Sequence, residues 1–232
     1  MVQTYKNNYR LDFRFLYICA KVGYNHSEDV KGVINMNYRD RLEELIDSND
    51  GLILTKEVEK AGIPRQYLTI FTKENKLERV AQGVYLTPDT FDDEMYRIQA
   101  KNQRAIFSHE TALYLHDLTD RDPIEWSVTV PYGYNATHLK DEGVSVYTVK
   151  KTLHQMGVIE MKTIYGRLIK AYNRERTICD IVRNRNNMDV AILNDSIRRY
   201  LNLKEKNIPL LLRYARELGV ENILRNYLEI LL

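Results

Sequence analysis

Residues 51–88 read GLILTKEVEKAGIPRQYLTIFTKENKLERVAQGVYLTP. Thr55 is placed to cap a short helix over residues 56–61, which Gly62 stops. Pro64, whose φ is fixed, suits the start of a second helix. In that helix Tyr67, Leu68 and Phe71 recur at i, i+1 and i+4 and face a core. Arg65, Gln66, Thr69, Thr72, Lys73 and Lys76 are left to point outward. Two short strands follow, Leu77–Val80 and Val84–Leu86, joined at Gln82-Gly83, where glycine tolerates a positive φ. Helix, turn, helix and hairpin in this order make a winged helix-turn-helix, whose second helix reads the DNA major groove. The outward residues are types that read base edges, and Arg79 and Gln82 fall on the wing, where backbone contacts are usual. A small winged helix that binds protein has the same pattern and stays open as an alternative.

The chain of 232 residues has room for one or two domains and a substantial core. Its 44% hydrophobic and 28% charged content is that of an ordinary globular protein. No apolar run reaches the ~20 residues that span a bilayer, and LDFRFLYICAKV (11–22) is broken by charges, unlike a signal peptide. These features point to a cytoplasmic protein without a membrane partner. Cys19 and Cys179 make neither a disulfide framework nor a zinc site.

A net charge of +2 hides an asymmetry. Residues 36–143 carry 13 Lys and Arg against 20 Asp and Glu; residues 144–232 carry 16 against 9. Such a split suits a C-terminal half that meets a polyanion or its own acidic half.

Residues 1–35 show no sustained period and are expected to be an extension ahead of a fold that begins near Met36. A helix over 37–48 precedes the helix-turn-helix, and Thr87-Pro88-Asp89-Thr90 closes a first domain over 36–90. A connecting helix begins near Asp92, and Ser108 is placed to cap a helix over 109–118. Strands are expected at Ile124–Val130, Val144–Val149, Val158–Ile164 and Leu168–Tyr172. Four helices follow from Asn173, with Pro209 opening the third and Gly219 separating the last two. The fold class is α+β: a winged helix-turn-helix, then a mixed domain over 91–232 with a small sheet and a C-terminal helical array.

Catalytic patterns are weak. His109-Glu110 with His116 lacks the HExxH spacing that puts two ligands on one helix face, so no metal is expected. Glu160-Met161-Lys162 with Asp141 upstream has the layout of Mg²⁺ nucleases, a short and common pattern. No nucleophile elbow or phosphate-cradling glycine loop is present, and no cofactor is implied. A second basic surface is expected from Lys150, Lys151, Lys162, Arg167, Lys170, Arg174 and Arg176, facing DNA or an acidic partner. Asp180 can pair with Arg176 (i, i+4) or Arg183 (i, i+3), which makes it a structural lock.

Residues 36–232 resemble the AbiEi family, antitoxins of bacterial AbiE abortive-infection toxin–antitoxin systems. The resemblance is carried by the winged helix, FSHETALYLHDLTDRDP (107–123), WSVTVPYGYN (126–135), YGRLIKAYNRERTICDIVR (165–183) and the helical tail. Asp117 departs from it, standing where glycine often follows the histidine. The resemblance implies an autorepressor whose winged helix binds inverted repeats in the promoter of its own operon. It also implies a C-terminal domain that counteracts a nucleotidyltransferase-like toxin without requiring a stable complex.

Overall fold

The computed structural model describes residues 37–231. The extension expected over 1–35, and Cys19 with it, lie outside the described residues. Asn37 caps the first helix, α1 (Tyr38–Ser48), by accepting the N–H groups of Arg39 and Asp40 at 2.8 and 3.0 Å. Leu42 and Ile46 of α1 are buried, whereas Tyr38 stays exposed.

Next come β1 (Leu52–Leu54), α2 (Thr55–Lys60), α3 (Gln66–Lys73), β2 (Glu78–Ala81) and β3 (Val84–Leu86). The three strands form an antiparallel sheet in the order β1-β3-β2. β1 was not expected: three residues are too few to show a period. Thr55 is the first helical residue rather than the cap. The Leu54 N–H donates instead to the Glu57 carboxylate at 3.0 Å, and the Thr55 N–H donates to the Gly83 carbonyl at 2.9 Å. One face of the sheet backs on to the core of α1, α2 and α3, around Leu42, Val58, Leu68 and Phe71. The other face, with Leu52, Leu54, Val84 and Leu86, is covered by Tyr96 and Ala100 of α4 (Glu94–Lys101).

The rest of the chain is built on a five-stranded mixed sheet, β6-β5-β4-β8-β7. Its strands are β4 (Ile106–Phe107), β5 (Ser127–Pro131), β6 (Ser145–Val149), β7 (Val158–Lys162) and β8 (Leu168–Tyr172). The short helices α5 (His109–Leu115), α6 (Thr137–Asp141) and α7 (Lys151–His154) lie between them. β5 starts at Ser127, not Ile124, whose side chain is fully exposed. Every residue of β5 is buried, because helices cover both faces of the sheet there. The helical tail is α8 (Arg174–Arg183), α9 (Val190–Asn202), α10 (Ile208–Glu217) and α11 (Glu221–Leu231). Asn173 caps α8, Pro209 lies in the first turn of α10, and Gly219 (φ +71°) separates α10 from α11. Cys179 is buried in this helical core and burial pushes its thiol pKa up.

The two parts are fastened to each other. Gln99 of α4 covers the part of β8 that the short β4 leaves unpaired: its Oε1 accepts the Lys170 N–H at 2.5 Å and its Nε2 donates to the Lys170 carbonyl at 2.9 Å. Arg167 donates to the Asp50 carbonyl at 3.1 Å, lies over the Tyr96 ring and stands 3.9 Å from Asp93. Asp93 is itself buried and accepts from Thr163 Oγ1 at 2.5 Å. The orientation of the winged helix is therefore set by polar contacts as well as by the apolar cover of α4.

Candidate nucleic-acid interface

The turn between α2 and α3 depends on Gly62 (φ +72°), after which α3 runs with Leu68 and Phe71 buried. Arg65, Gln66, Thr69 and Lys73 are exposed and fall on one side of α3. Gln66, Thr69 and Lys73 make no side-chain hydrogen bond among the described residues, so their polar groups are available to a ligand. Arg65 stands at the helix start, paired with Glu59 of α2, and this exposed pair opens at little cost. The hydrogen bond from Arg65 also draws the Glu59 carboxyl below its usual range.

Two expected members leave this face. Thr72 is half-buried and donates its hydroxyl to the Leu68 carbonyl at 2.8 Å, within its own helix. Lys76 lies past the end of α3, over the Phe71 ring, and its ammonium binds Glu43 of α1 at 2.5 Å. It serves to tie α1 to the end of α3.

On the wing, Arg79 is exposed and pairs in register with Tyr85; a bulge separates it from Ala81. Gln82 occupies the turn with Gly83 (φ +74°). Arg65 and Gln82 line one wall of a cleft of about 720 Å³, and Asn102, Gln103, Arg104 and His138 line the other. α3 and the wing turn thus open towards residues 102–104, which follow the end of α4 at Lys101, whereas the sequence suggests a connecting helix that runs on through Ala105.

The second basic surface does not form as expected. Arg176 is fully buried: Nε binds both Asp180 oxygens at 3.0 Å, Nη1 reaches the Leu153 and Met156 carbonyls, and the guanidinium lies over Tyr172. Gly157 is required beside it, since a Cβ there would come within 2.7 Å of the Arg176 Cβ. The i, i+4 lock between Arg176 and Asp180 is therefore the arrangement found. Burial pushes the Asp180 carboxyl up to about 6, against the pull of Arg176.

Arg167 is spent on the contacts to Asp50 and Tyr96, and Arg174 is half-buried and paired with Glu205 at 3.2 Å. Lys150 and Lys151 follow β6, at the far edge of the sheet from β7, about 14 Å across from β8 by strand spacing. Lys162 and Lys170 remain together, exposed on the same face of the β7–β8 pair. The nuclease pattern is taken apart by the same topology. Asp141 leads into β6 and Glu160 lies on β7, four strand spacings or about 19 Å away, too far to share a metal.

His109 and His116 are buried on different errands. His116 Nε2 meets the Tyr172 carbonyl at 2.7 Å, and His109 stacks on Tyr147 with ring centroids 3.5 Å apart. Among the described residues no group of three or more His, Cys, Asp or Glu is placed to hold a metal. Ser108 stands at the N-cap position of α5 but makes no capping bond with its side chain; its hydroxyl oxygen accepts from Thr129 and lies 3.0 Å from His109 Nδ1.

Burial, with Arg176 and Arg183 nearby, lowers the His109 pKa from 6.5 to about 3. Unfolded chains bind this proton below about 6.5 and the folded one does not, so acid favours unfolding through that window. The stability advantage of the wild type over His109→Asn, a residue that tolerates the observed φ of +49°, is expected to shrink as pH falls from about 6.5 towards 3. The loss is up to about 1.4 kcal/mol per pH unit, measured by urea titration of both proteins across that range.

Residues 40–88 match the family model described as "Transcriptional regulator, AbiEi antitoxin". The matched stretch runs from α1 through α3 to the end of the wing, and the resemblance read from the sequence holds there. That description is of a transcriptional regulator. The fold is similar to that in a crystal structure of the RV2827C protein from Mycobacterium tuberculosis, with a TM-score of 0.53 and 11% sequence identity. The likeness covers 76% of this chain and 70% of that one, and at this identity it is a likeness of fold. No curated protein matches the chain. Among the described residues no helix is long and apolar enough to cross a membrane.

Proposed function

We propose that this chain, whose residues 40–88 match the AbiEi-antitoxin regulator model, represses its own operon and counteracts a nucleotidyltransferase-like toxin. In this reading the first domain (36–90) binds inverted repeats in the promoter. Gln66, Thr69 and Lys73 of α3 enter the major groove with Arg65 at their head, and Arg79 and Gln82 meet the backbone beside it. The single observation that carries the reading is the exposed polar face of α3, which has side chains of base-reading chemistry and no internal partners for three of its four residues. Residues 91–232 supply the antitoxin activity, which does not need a lasting toxin complex. A promoter reporter tests the regulator: the chain supplied in trans silences a gene placed behind its own upstream DNA, and an unaltered signal refutes autorepression.

One observation favours the other reading, a module that binds only protein. The winged helix carries 8 Lys and Arg against 10 Asp and Glu over residues 36–90, so bulk charge does not draw it to DNA. Cations from outside that domain are needed if it is to hold a polyanion.

A further inference from the structure

The structure brings such cations to the winged helix from the second half of the chain. Next to the cleft that holds Arg65 and Gln82 lies a groove of about 760 Å³ between α2 and β8. Lys56 and Lys60 of α2 form one wall; Arg104 and Lys170 stand on the other, with Gln99 and Gln103 of the α4 region between them. We propose that this groove is a track for the DNA phosphate backbone running past the start of the reader helix. The inference rests on the DNA-binding reading above and assigns it a second, cross-domain contact.

Charge is the first support. The groove has four cations and one carboxylate, Glu57, which is engaged with the Leu54 N–H. Lys60, Arg104 and Lys170 are exposed, and their charged groups have no hydrogen-bond or ion-pair partner among the described residues. Lys56 donates to the Ala100 carbonyl at 2.5 Å, a bond that orients its ammonium without cancelling the charge. Glu160 stands opposite Lys170 across the β7–β8 pair, and the cations still outnumber the carboxylates; several converging in one groove fit a polyanion better than a single small ion.

Position is the second. Leu54, Lys56, Ala100, Gln103 and Arg104 line both the groove and the cleft of Arg65 and Gln82, so the two are continuous. A duplex with α3 in its major groove presents a flanking backbone to the first helix of a helix-turn-helix, here α2. Lys56 and Lys60 lie on that helix, and Arg104 and Lys170 extend the same path on to the second half of the chain. The walls are also fixed before DNA arrives. Gln99 holds α4 to β8 through the N–H and carbonyl of Lys170, and Arg167 ties the β7–β8 turn to Asp50. Little ordering is then left to do when phosphates bind.

The test compares the full-length wild type with the triple variant Lys60→Ala, Arg104→Ala, Lys170→Ala. A second variant, Lys150→Ala with Lys151→Ala, removes exposed cations at the far edge of the sheet, outside the groove. Fluorescence anisotropy gives binding to the chain's own upstream DNA and to an unrelated duplex as salt is raised. Loss of three phosphate contacts makes the log–log salt slope shallower by about 2.7 and lowers affinity on the order of 100-fold at low salt, equally on both duplexes. The second variant keeps the wild-type slope.

If the triple variant keeps the wild-type slope while promoter preference is intact, the groove is not a phosphate track and the regulator reading stands. A slope that falls in the triple variant, in a wild type with no promoter preference, upholds the track and overturns specific repression. A wild type that binds neither duplex overturns both.

Discussion

Replacing Asp180 with alanine is expected to destabilise the protein by about 3–5 kcal/mol. The side chain is buried on α8 and accepts Arg176 Nε through both oxygens at 3.0 Å. Its removal leaves a guanidinium with no access to water, held only by the Leu153 and Met156 carbonyls and the face of Tyr172. The penalty belongs to the stranded charge more than to a lost attraction, since desolvation has already consumed most of the Coulombic gain. The double variant Arg176→Met, Asp180→Leu is therefore expected to recover most of the stability that Asp180→Ala loses. Urea titration of the two proteins measures this. A double variant no more stable than the single one would show that the bonds themselves, and not the unpaired charge, hold α8 against α7.

Arg65→Ala combined with Gln66→Ala is expected to weaken binding to the upstream DNA by about 10- to 100-fold per residue and to leave binding to unrelated DNA nearly unchanged. A good base contact discriminates by about 1–3 kcal/mol, and each 1.4 kcal/mol is a factor of ten. Both positions are exposed at the start of α3 and support no core residue, so stability should stay within about 0.5 kcal/mol of wild type. The two substitutions separate readout from phosphate attraction. Equal losses on both duplexes would move these residues from the bases to the backbone, and no loss on either would remove α3 from the interface.

The sequence carried the long periodic elements. The stripe of Leu42 and Ile46, the Gly62–Pro64 turn, the Gln82-Gly83 wing and the four tail helices with their caps all appear where local rules put them. Elements too short to show a period were missed: β1 with three residues, β4 with two, and the one-turn helices α6 and α7. Alternation misread β5, because a strand covered on both faces has no polar side; Ser127 and Thr129 are as buried as Val128 and Val130.

The site was legible where one helix decides the outcome. The exposed face of α3 follows from the helical repeat and the burial of Leu68 and Phe71 alone. The basic surface was not, because seven cations between 150 and 176 look alike in one dimension. Packing of α8 under the sheet makes Arg176 a core residue, and docking of the β7–β8 turn on Asp50 consumes Arg167. The same docking brings Lys170 beside Lys60, 110 positions earlier in the chain, a neighbourhood that no local pattern encodes.

Binding of the full-length protein to its own upstream DNA, footprinted in the presence of excess unrelated duplex, tests the central claim most directly. The account predicts two protected half-sites in inverted orientation that survive the competitor and disappear with Arg65→Ala, Gln66→Ala. Protection that vanishes when competitor is added would contradict it.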